Sequence, residues 1–301
     1  MIRCFKALWV LVMLGACALS QAITVQDDRT VEIVFKQAPQ RVVSLLPSLT
    51  ESVCALGQCH RLVGVDRYSN FPEQVKKLPQ LGGGLDPNIE AIVALRPDVV
   101  LMTPSSKAHT RLTELGLKVL LLEPKNTADA QRSLHTLGTL FNLPPEQGAL
   151  NVLRSIEQGI QAAAQRVPMS ARGSTVYFEA GAPYAAGEAS FVGELLQALG
   201  LRNIVPASMG AFPALNPEFV VRANPQLIMV GNIDAKQLTQ RPGWAKLDAV
   251  AANRVCVFVG DASDVLVRPG PRMAQAAALM ADCVVKNHTK PRSQRQPAAL
   301  P

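Results

Sequence analysis

The sequence predicts an α/β protein of two lobes, each with a mostly parallel sheet, joined by a single long rigid helix. Three observations carry that expectation. Short apolar strands alternate with helical stretches from residue 41 onward, which implies parallel pairing with crossover helices. A segment of the first half returns in the second at a constant offset of 128 residues. Residues 144–167, between the halves, repeat their apolar positions with helical spacing. A chain of 301 residues suits two lobes better than one ordinary domain.

The elements follow in chain order. Arg3 and Lys6 precede an uncharged apolar run from Ala7 to Leu19, and Ser20-Gln21-Ala22 supplies small residues before a cut after Ala22. A positive start, an apolar centre and a small-residue exit are the parts of a secretory signal. The run falls short of the roughly 20 apolar residues a membrane span needs. Leu14-Gly15-Ala16-Cys17 also resembles a lipobox, in which Cys17 becomes an acylated N-terminus. Intact mass of the mature protein separates the two cuts. Thr24 to Phe35 reads as a hairpin turned by Asp27-Asp28.

Arg41 to Leu46 is a strand stopped by Pro47, and a helix follows from Ser48 to Leu56, with Gly57 as its stop. Ser48 is the expected N-cap and Glu51 its reciprocal partner three residues on. Leu62 to Val65 is the next strand, followed by the aromatic-bearing loop Asp66-Arg67-Tyr68-Ser69-Asn70-Phe71-Pro72. Val99 to Met102 and Val119 to Leu122 supply further strands.

The repeat aligns NIEAIVALRPDVVLM (88–102) with NPEFVVRANPQLIMV (216–230), keeping Asn, Glu and Pro in place. A looser pair, ESVCALG (51–57) and ELLQALG (194–200), accompanies it. Solenoid repeats have periods up to about 50 residues, so this one marks two lobes of one topology. Between them, Leu150, Leu153, Ile156, Ile160, Ala163 and Val167 lie at helical spacing. A helix of about 22 residues spans about 33 Å. The expected divisions are a leader over 1–22, a first lobe over 23–143 and a linking helix over 144–167. A second lobe over 168–284 and a disordered tail over 285–301 complete the chain.

Composition excludes some classes. Apolar residues make up 48% of the chain, which suits a globular core. The net charge of +7 falls to +5 without Arg3 and Lys6, and part of the rest sits in the tail at Lys286, Lys290, Arg292 and Arg295. No basic helix carries interleaved aromatics, so no nucleic-acid partner is expected. Four cysteines lie beyond the leader: Cys54, Cys59, Cys256 and Cys283. Four cysteines in an oxidising compartment allow three connectivities. Cys54 and Cys59 flank Gly57, where the chain turns back, and form the expected local pair. Cys256 and Cys283 stay open between a second pair and buried free thiols.

Motifs of catalysis are missing. The sequence has no GxSxG elbow, no HExxH and no phosphate loop ending in Gly-Lys-Ser/Thr. His60, His109, His135 and His288 are scattered, and the CxxxxC spacing is not a usual zinc pattern. No catalytic residue, resident metal or intrinsic cofactor is expected.

Six segments carry a family resemblance: RVVSLLPSLTE (41–51), LVGVDRYSNFP (62–72), NIEAIVALRPDVVLM (88–102), LGLKVLLLEP (115–124), EASFVGELLQALGLRNIV (188–205) and NPEFVVRANPQLIMV (216–230). Together they resemble the ABC-importer solute-binding proteins with a helical backbone, whose members bind cobalamin, haem or ferric siderophores. The resemblance implies a shallow ligand cleft between the lobes, a periplasmic location, a monomer, and delivery to a permease in the inner membrane. Its nearest branch binds cobalamin. On that branch's pattern, cleft positions fall on Tyr68, Tyr184, Phe212, Asp261 and Arg268. Glu90 and Glu218 match the glutamates, one per lobe, that dock onto permease arginines.

The chain departs from the branch where cleft tryptophans are replaced by Gly84 and Thr103, and Trp244 is its sole tryptophan beyond the leader. Haem and a ferric siderophore are therefore the alternative ligands. The residues also have readings of their own. A flat macrocycle favours rigid aromatics with polar groups at the rim. The Tyr68 phenol is of the type that ligates haem iron. Asp261 and Arg268 are set to pair with each other, an interaction worth about 0–1 kcal/mol at a surface. Asn88 and Asn216 are expected N-caps, with Glu90 and Glu218 in the positive first turns. An enzyme or chelatase on the same scaffold, and a signalling protein that transports nothing, are the competing classes.

Overall fold

A computed structural model of the chain describes residues 22–232 and 235–288. Residues 1–21, where the export leader and the Cys17 lipobox are expected, and residues 289–301 of the expected tail lie outside the described residues. The hairpin is formed by β1 (Ile23–Gln26) and β2 (Glu32–Phe35), paired antiparallel. Asp27 Oδ1 accepts from the backbone N–H of Arg29 and of Val31, which closes the turn.

The first lobe runs β3 (Val42–Ser44), α1 (Pro47–Ala55), β4 (Leu62–Val65), α2 (Ile89–Ala94), β5 (Val99–Met102), α3 (Ala108–Glu114), β6 (Val119–Leu121) and α4 (Thr127–Leu140). Its sheet is parallel throughout, in the order β4-β3-β5-β6. Strands β3 and β5 are buried on both faces, which is why they read as continuous apolar runs.

Helix α5 (Ala149–Arg166) leads to the second lobe. There the order is β7 (Thr175–Gly181), β8 (Tyr184–Ala185), α6 (Phe191–Ala198), β9 (Arg202–Asn203), α7 (Pro217–Ala223), β10 (Leu227–Gly231), α8 (Ala235–Gln240), α9 (Asp248–Ala251), β11 (Val255–Phe258), α10 (Asp261–Val265) and α11 (Met273–His288). The parallel path β9-β7-β10-β11 repeats the first lobe's β4-β3-β5-β6, and β8 adds one antiparallel strand to it. Helices α1 and α6, like α2 and α7, hold equivalent places. The first pair stops at matching left-handed glycines, Gly57 and Gly200, at φ +74° and +75°.

The largest apolar cluster is continuous from one lobe to the other. It joins Val42 and Leu134 of the first lobe to Ile156 of α5, Met273 and Met280 of α11, and Leu196 of α6. Smaller clusters cover the opposite face of each sheet, around Val43, Val100 and Leu121, and around Ile228, Val230 and Trp244. Helices α5 and α11 pack so closely that a Cβ at Gly159 would lie 2.5 Å from Ala274 Cβ.

The structure joins Cys54 to Cys59 across the end of α1, and Cys256 to Cys283, tying β11 to α11. Three expectations need correcting. Helix α1 starts at Pro47 with no side-chain cap, so Ser48 and Glu51 form no capping box. Proline is well placed at a first helical position, and Glu51 has charged partners elsewhere. The linking helix begins at Ala149 rather than 144, because Pro145–Gln147 forms a 3-10 turn and Gly148 leaves helical geometry. The last helix continues through His288, past the expected tail boundary at 285, since Val284 and Asn287 are buried against the second lobe.

Candidate functional site

A cleft of about 600 Å³ opens between the lobes, within the roughly 300–1,000 Å³ of small-molecule sites. One wall is built from segments that follow β3, β4 and β6: Pro47 and Ser48, Tyr68 and Asn70, Glu123 and Lys125. The other comes from segments after β9 and β11, namely Phe212, Asp264, Val267 and Arg268. Parallel sheets place ligands beyond the carboxyl ends of their strands, and here both sheets contribute such ends.

Tyr68 and Phe212 stand on opposite lobes and are both exposed, Tyr68 at 59%. The Arg67 guanidinium lies 5.7 Å from the Tyr68 ring centroid. Among the described residues no group hydrogen-bonds the Tyr68 hydroxyl. Its backbone is held instead: Asp66 Oδ2 accepts its N–H at 3.0 Å, and Arg268 Nη2 donates to its carbonyl at 2.9 Å. Asp66 also accepts from the Ser69 hydroxyl, which meets Thr50 Oγ1 at 2.9 Å. Burial pushes the Asp66 carboxyl up, against the Ser69 hydroxyl, the Tyr68 N–H and the Arg268 charge.

On the same wall, Glu123 accepts from Thr103 Oγ1 at 2.7 Å and Ser105 Oγ at 2.9 Å, and pairs with Lys125 at 3.0 Å. Burial acts to raise its carboxyl, but the hydrogen bonds from Thr103, Lys125 and Ser105 outweigh it and hold Glu123 below the usual range. The hairpin turn supports the wall from behind, where Asp28 Oδ2 accepts from the Glu123 N–H at 2.7 Å.

Arg268 lines the cleft floor, yet its guanidinium is engaged internally. Nη1 donates to Glu51 Oε1 at 3.0 Å and to Asn70 Oδ1 at 2.7 Å, and Nη2 reaches Tyr68 O and Asp264 Oδ2. The expected Asp261–Arg268 pair does not form. Asp261 Oδ1 accepts from Arg272 Nη1 at 2.6 Å, which leaves Arg268 to Glu51 and Asp264. A buried carboxylate needs charged partners more than an exposed one does, and Glu51 lies deeper than Asp261.

Of the five expected cleft residues, Tyr68, Phe212 and Arg268 line the cavity, whereas Tyr184 and Asp261 are not among its lining residues. Tyr184 is exposed on the short strand β8, bridged to Ala214. Sequence reasoning missed Asn70, Glu123, Lys125 and Arg272. Asn70 was within sight, two residues beyond Tyr68 in the same loop. A Cβ at Gly84 would lie 2.6 Å from the Leu45 carbonyl, and Thr103 is tied to Glu123.

On the outer surface, Glu90 and Glu218 are exposed in the first turns of α2 and α7. Asn88 Oδ1 accepts from the Ala91 N–H and Asn216 Oδ1 from the Glu218 N–H, each at 2.9 Å. Among the described residues neither glutamate carboxylate makes an ion pair. No described helix is long and apolar enough to cross a membrane.

The sequence pattern of the periplasmic binding protein family matches residues 42–261. A vitamin B12-binding protein of Pectobacterium carotovorum subsp. carotovorum is 28% identical over 250 residues, which covers 79% of this chain and 86% of that protein. YvrC, an uncharacterized ABC transporter substrate-binding lipoprotein of Bacillus subtilis, is 27% identical over 272 residues, covering 87% and 85%. The solved structure of a periplasmic haem-binding protein from Pseudomonas aeruginosa is similar at a TM-score of 0.70 and 25% identity. That match covers 84% of this chain and 94% of the other. A match over residues 42–261, which takes in most of both lobes and the first lobe's wall of the cleft, places this chain in the periplasmic binding protein family, whose members are substrate-binding transport proteins rather than enzymes.

Proposed function

We propose that this protein captures a corrinoid of the cobalamin class in the interlobe cleft and delivers it to an ABC permease that docks at Glu90 and Glu218. The observation that carries the reading is the pair of exposed aromatics, Tyr68 and Phe212, on opposite walls of one open cleft. Two rigid rings suit the faces of a flat macrocycle, and Lys125 and Arg67 at the rim suit its acidic or amide substituents. Vitamin B12-binding relatives support the same ligand class.

Haem is the second reading, and a specific observation favours it. The Tyr68 phenol is free of protein partners among the described residues, and tyrosine is an axial ligand of haem iron. A ferric siderophore is the third ligand for the same cleft. An absorption titration of the purified protein with cyanocobalamin, haemin and a ferric siderophore decides among them. Saturable binding of cyanocobalamin is the expected result. Tight haemin binding without cobalamin binding overturns the lead and leaves the class intact.

The location follows from the leader. Residues 1–22 direct export by a cut after Ala22, and a lipid-anchored form through Cys17 is the variant outcome; the intact mass distinguishes them. The protein acts as a monomer, with one docking carboxylate per lobe.

A further inference from the structure

We propose that Glu51 and Glu194, glutamates related by the internal repeat, fasten the two lobes to each other, and that Arg268 serves the cleft by positioning the Tyr68 loop rather than by touching ligand. Each glutamate stands six residues before the left-handed glycine that ends its helix, α1 or α6. Each reaches into the opposite lobe. Glu51 takes a bidentate contact from Arg272, with Nε to Oε2 at 2.8 Å and Nη2 to Oε1 at 2.6 Å, besides the Arg268 bond at 3.0 Å. Both arginines lie in the second lobe between α10 and α11. Glu194 Oε2 accepts the N–H of Thr127, the first residue of α4, at 2.6 Å. A main-chain bond from Phe191 N to Lys125 O at 3.0 Å crosses beside it.

The two fastenings differ in chemistry. At Glu194 a carboxylate caps the positive start of a helix. At Glu51 the side chain is 2% exposed and those of Arg268 and Arg272 are 8% and 7%. A charge so deep is strongly destabilising once its partner is removed, so this contact resists opening. Bidentate guanidinium–carboxylate geometry also fixes the angle at which the lobes meet.

The same network governs the cleft. Arg268 has five N–H donors, and its Nη atoms donate to Glu51, Asn70 and the Tyr68 carbonyl and pair with Asp264. Asn70 Nδ2 in turn donates to Asp264 Oδ2 at 2.7 Å, a second bond from the Tyr68 loop to the opposite lobe. The loop that carries a cleft aromatic of the first lobe is therefore held by the second. Ligand meets a Tyr68 whose place depends on the closed lobe contact.

This inference rests on the reading of the cleft as the ligand site, and its test begins without ligand. Hydrogen exchange is followed in the full-length ligand-free protein for wild type, Arg268→Lys, Glu51→Gln and Glu194→Ala. Arg268→Lys keeps the charge and loses the fork. It is expected to raise exchange across residues 66–70 by roughly tenfold or more, with exchange in β10 and β11 unchanged. Glu194→Ala is expected to raise exchange at the Thr127 amide and leave residues 66–70 as they are. Cyanocobalamin and haemin are then titrated, and dissociation of whichever binds is expected to quicken by roughly tenfold in Arg268→Lys.

Unchanged exchange over 66–70 in Arg268→Lys overturns the positioning role, and weakened binding with unchanged exchange assigns Arg268 to direct ligand contact instead. If Glu51→Gln fails to fold, the milder Arg268→Lys still decides. If neither probe binds wild type, the functional reading fails while the exchange data still judge the fastening.

Discussion

Tyr68 presents its ring to the cleft while Asp66 and Arg268 engage the peptide groups on either side of it. The loop is thus anchored by its backbone and exposes its side chain. Replacing Tyr68 with Ala removes one aromatic face, worth roughly 1.5–3 kcal/mol of burial. If the proposed ligand is a flat macrocycle, its dissociation constant is expected to rise by roughly tenfold to a hundredfold. An unchanged constant would take Tyr68 out of the site. The two carboxylates of the same wall titrate with opposite signs. Glu123, held low, contributes stability that is present above the ordinary glutamate value and is lost as pH falls through its lowered folded value, below about pH 4.3. Asp66, held high, has a contribution present below about pH 3.9 and lost as pH rises through its raised folded value. Thermal unfolding should show the deficit of Glu123→Gln shrinking between pH 7 and pH 3. Asp66→Asn should instead compare better with wild type at pH 7 than at pH 4. Parallel curves for either variant would refute the assigned direction.

Helices α2 and α7, of 6 and 7 residues, are too short to persist on propensity. Their Asn caps and their apolar faces at Ile92 and Val220 hold them in place. The carboxylates of Glu90 and Glu218 then project from matched helix starts with no internal ion pair among the described residues. A cap needs only the Asn side chain and any tolerable first turn. The placement of two glutamates at one offset of 128 residues supports the proposal that they serve a shared docking surface. Substituting both, Glu90→Arg with Glu218→Arg, should abolish ligand-stimulated transport and leave ligand affinity as it was. Transport that survives the double change would remove these residues from the docking surface.

Across the molecule, the seam of α5 with α11 and the two glutamate contacts hold the lobes as one unit around the cleft. The seam depends on Gly159, since its missing Cβ is the space Ala274 occupies. Gly159→Leu forces the helices apart and should lower stability by about 1–3 kcal/mol, read from thermal unfolding. Ligand affinity should fall with it, because the cleft walls belong to different lobes. A variant as stable as wild type would show that the seam yields without strain.

The alternation of apolar strands with helices, the paired helix starts and the periodic segment at 150–163 made two similar lobes and a linking helix legible from residue order alone. Those features are local or periodic, and burial of strands and one helix face leaves them in the sequence directly. The exposed aromatics Tyr68 and Phe212 were legible through the family resemblance, as positions rather than as contacts. The partner of Glu51 was not, because a glutamate three residues after a serine satisfies the capping pattern as well as any other. Arg268 and Arg272 lie more than 200 residues away, and nothing in the spacing of either segment states which acid each will meet. Which charges pair, which cysteines join, and which loop residues share the cleft are set when the two lobes close, since ion pairs and cavity walls depend on distances that no sequence interval encodes.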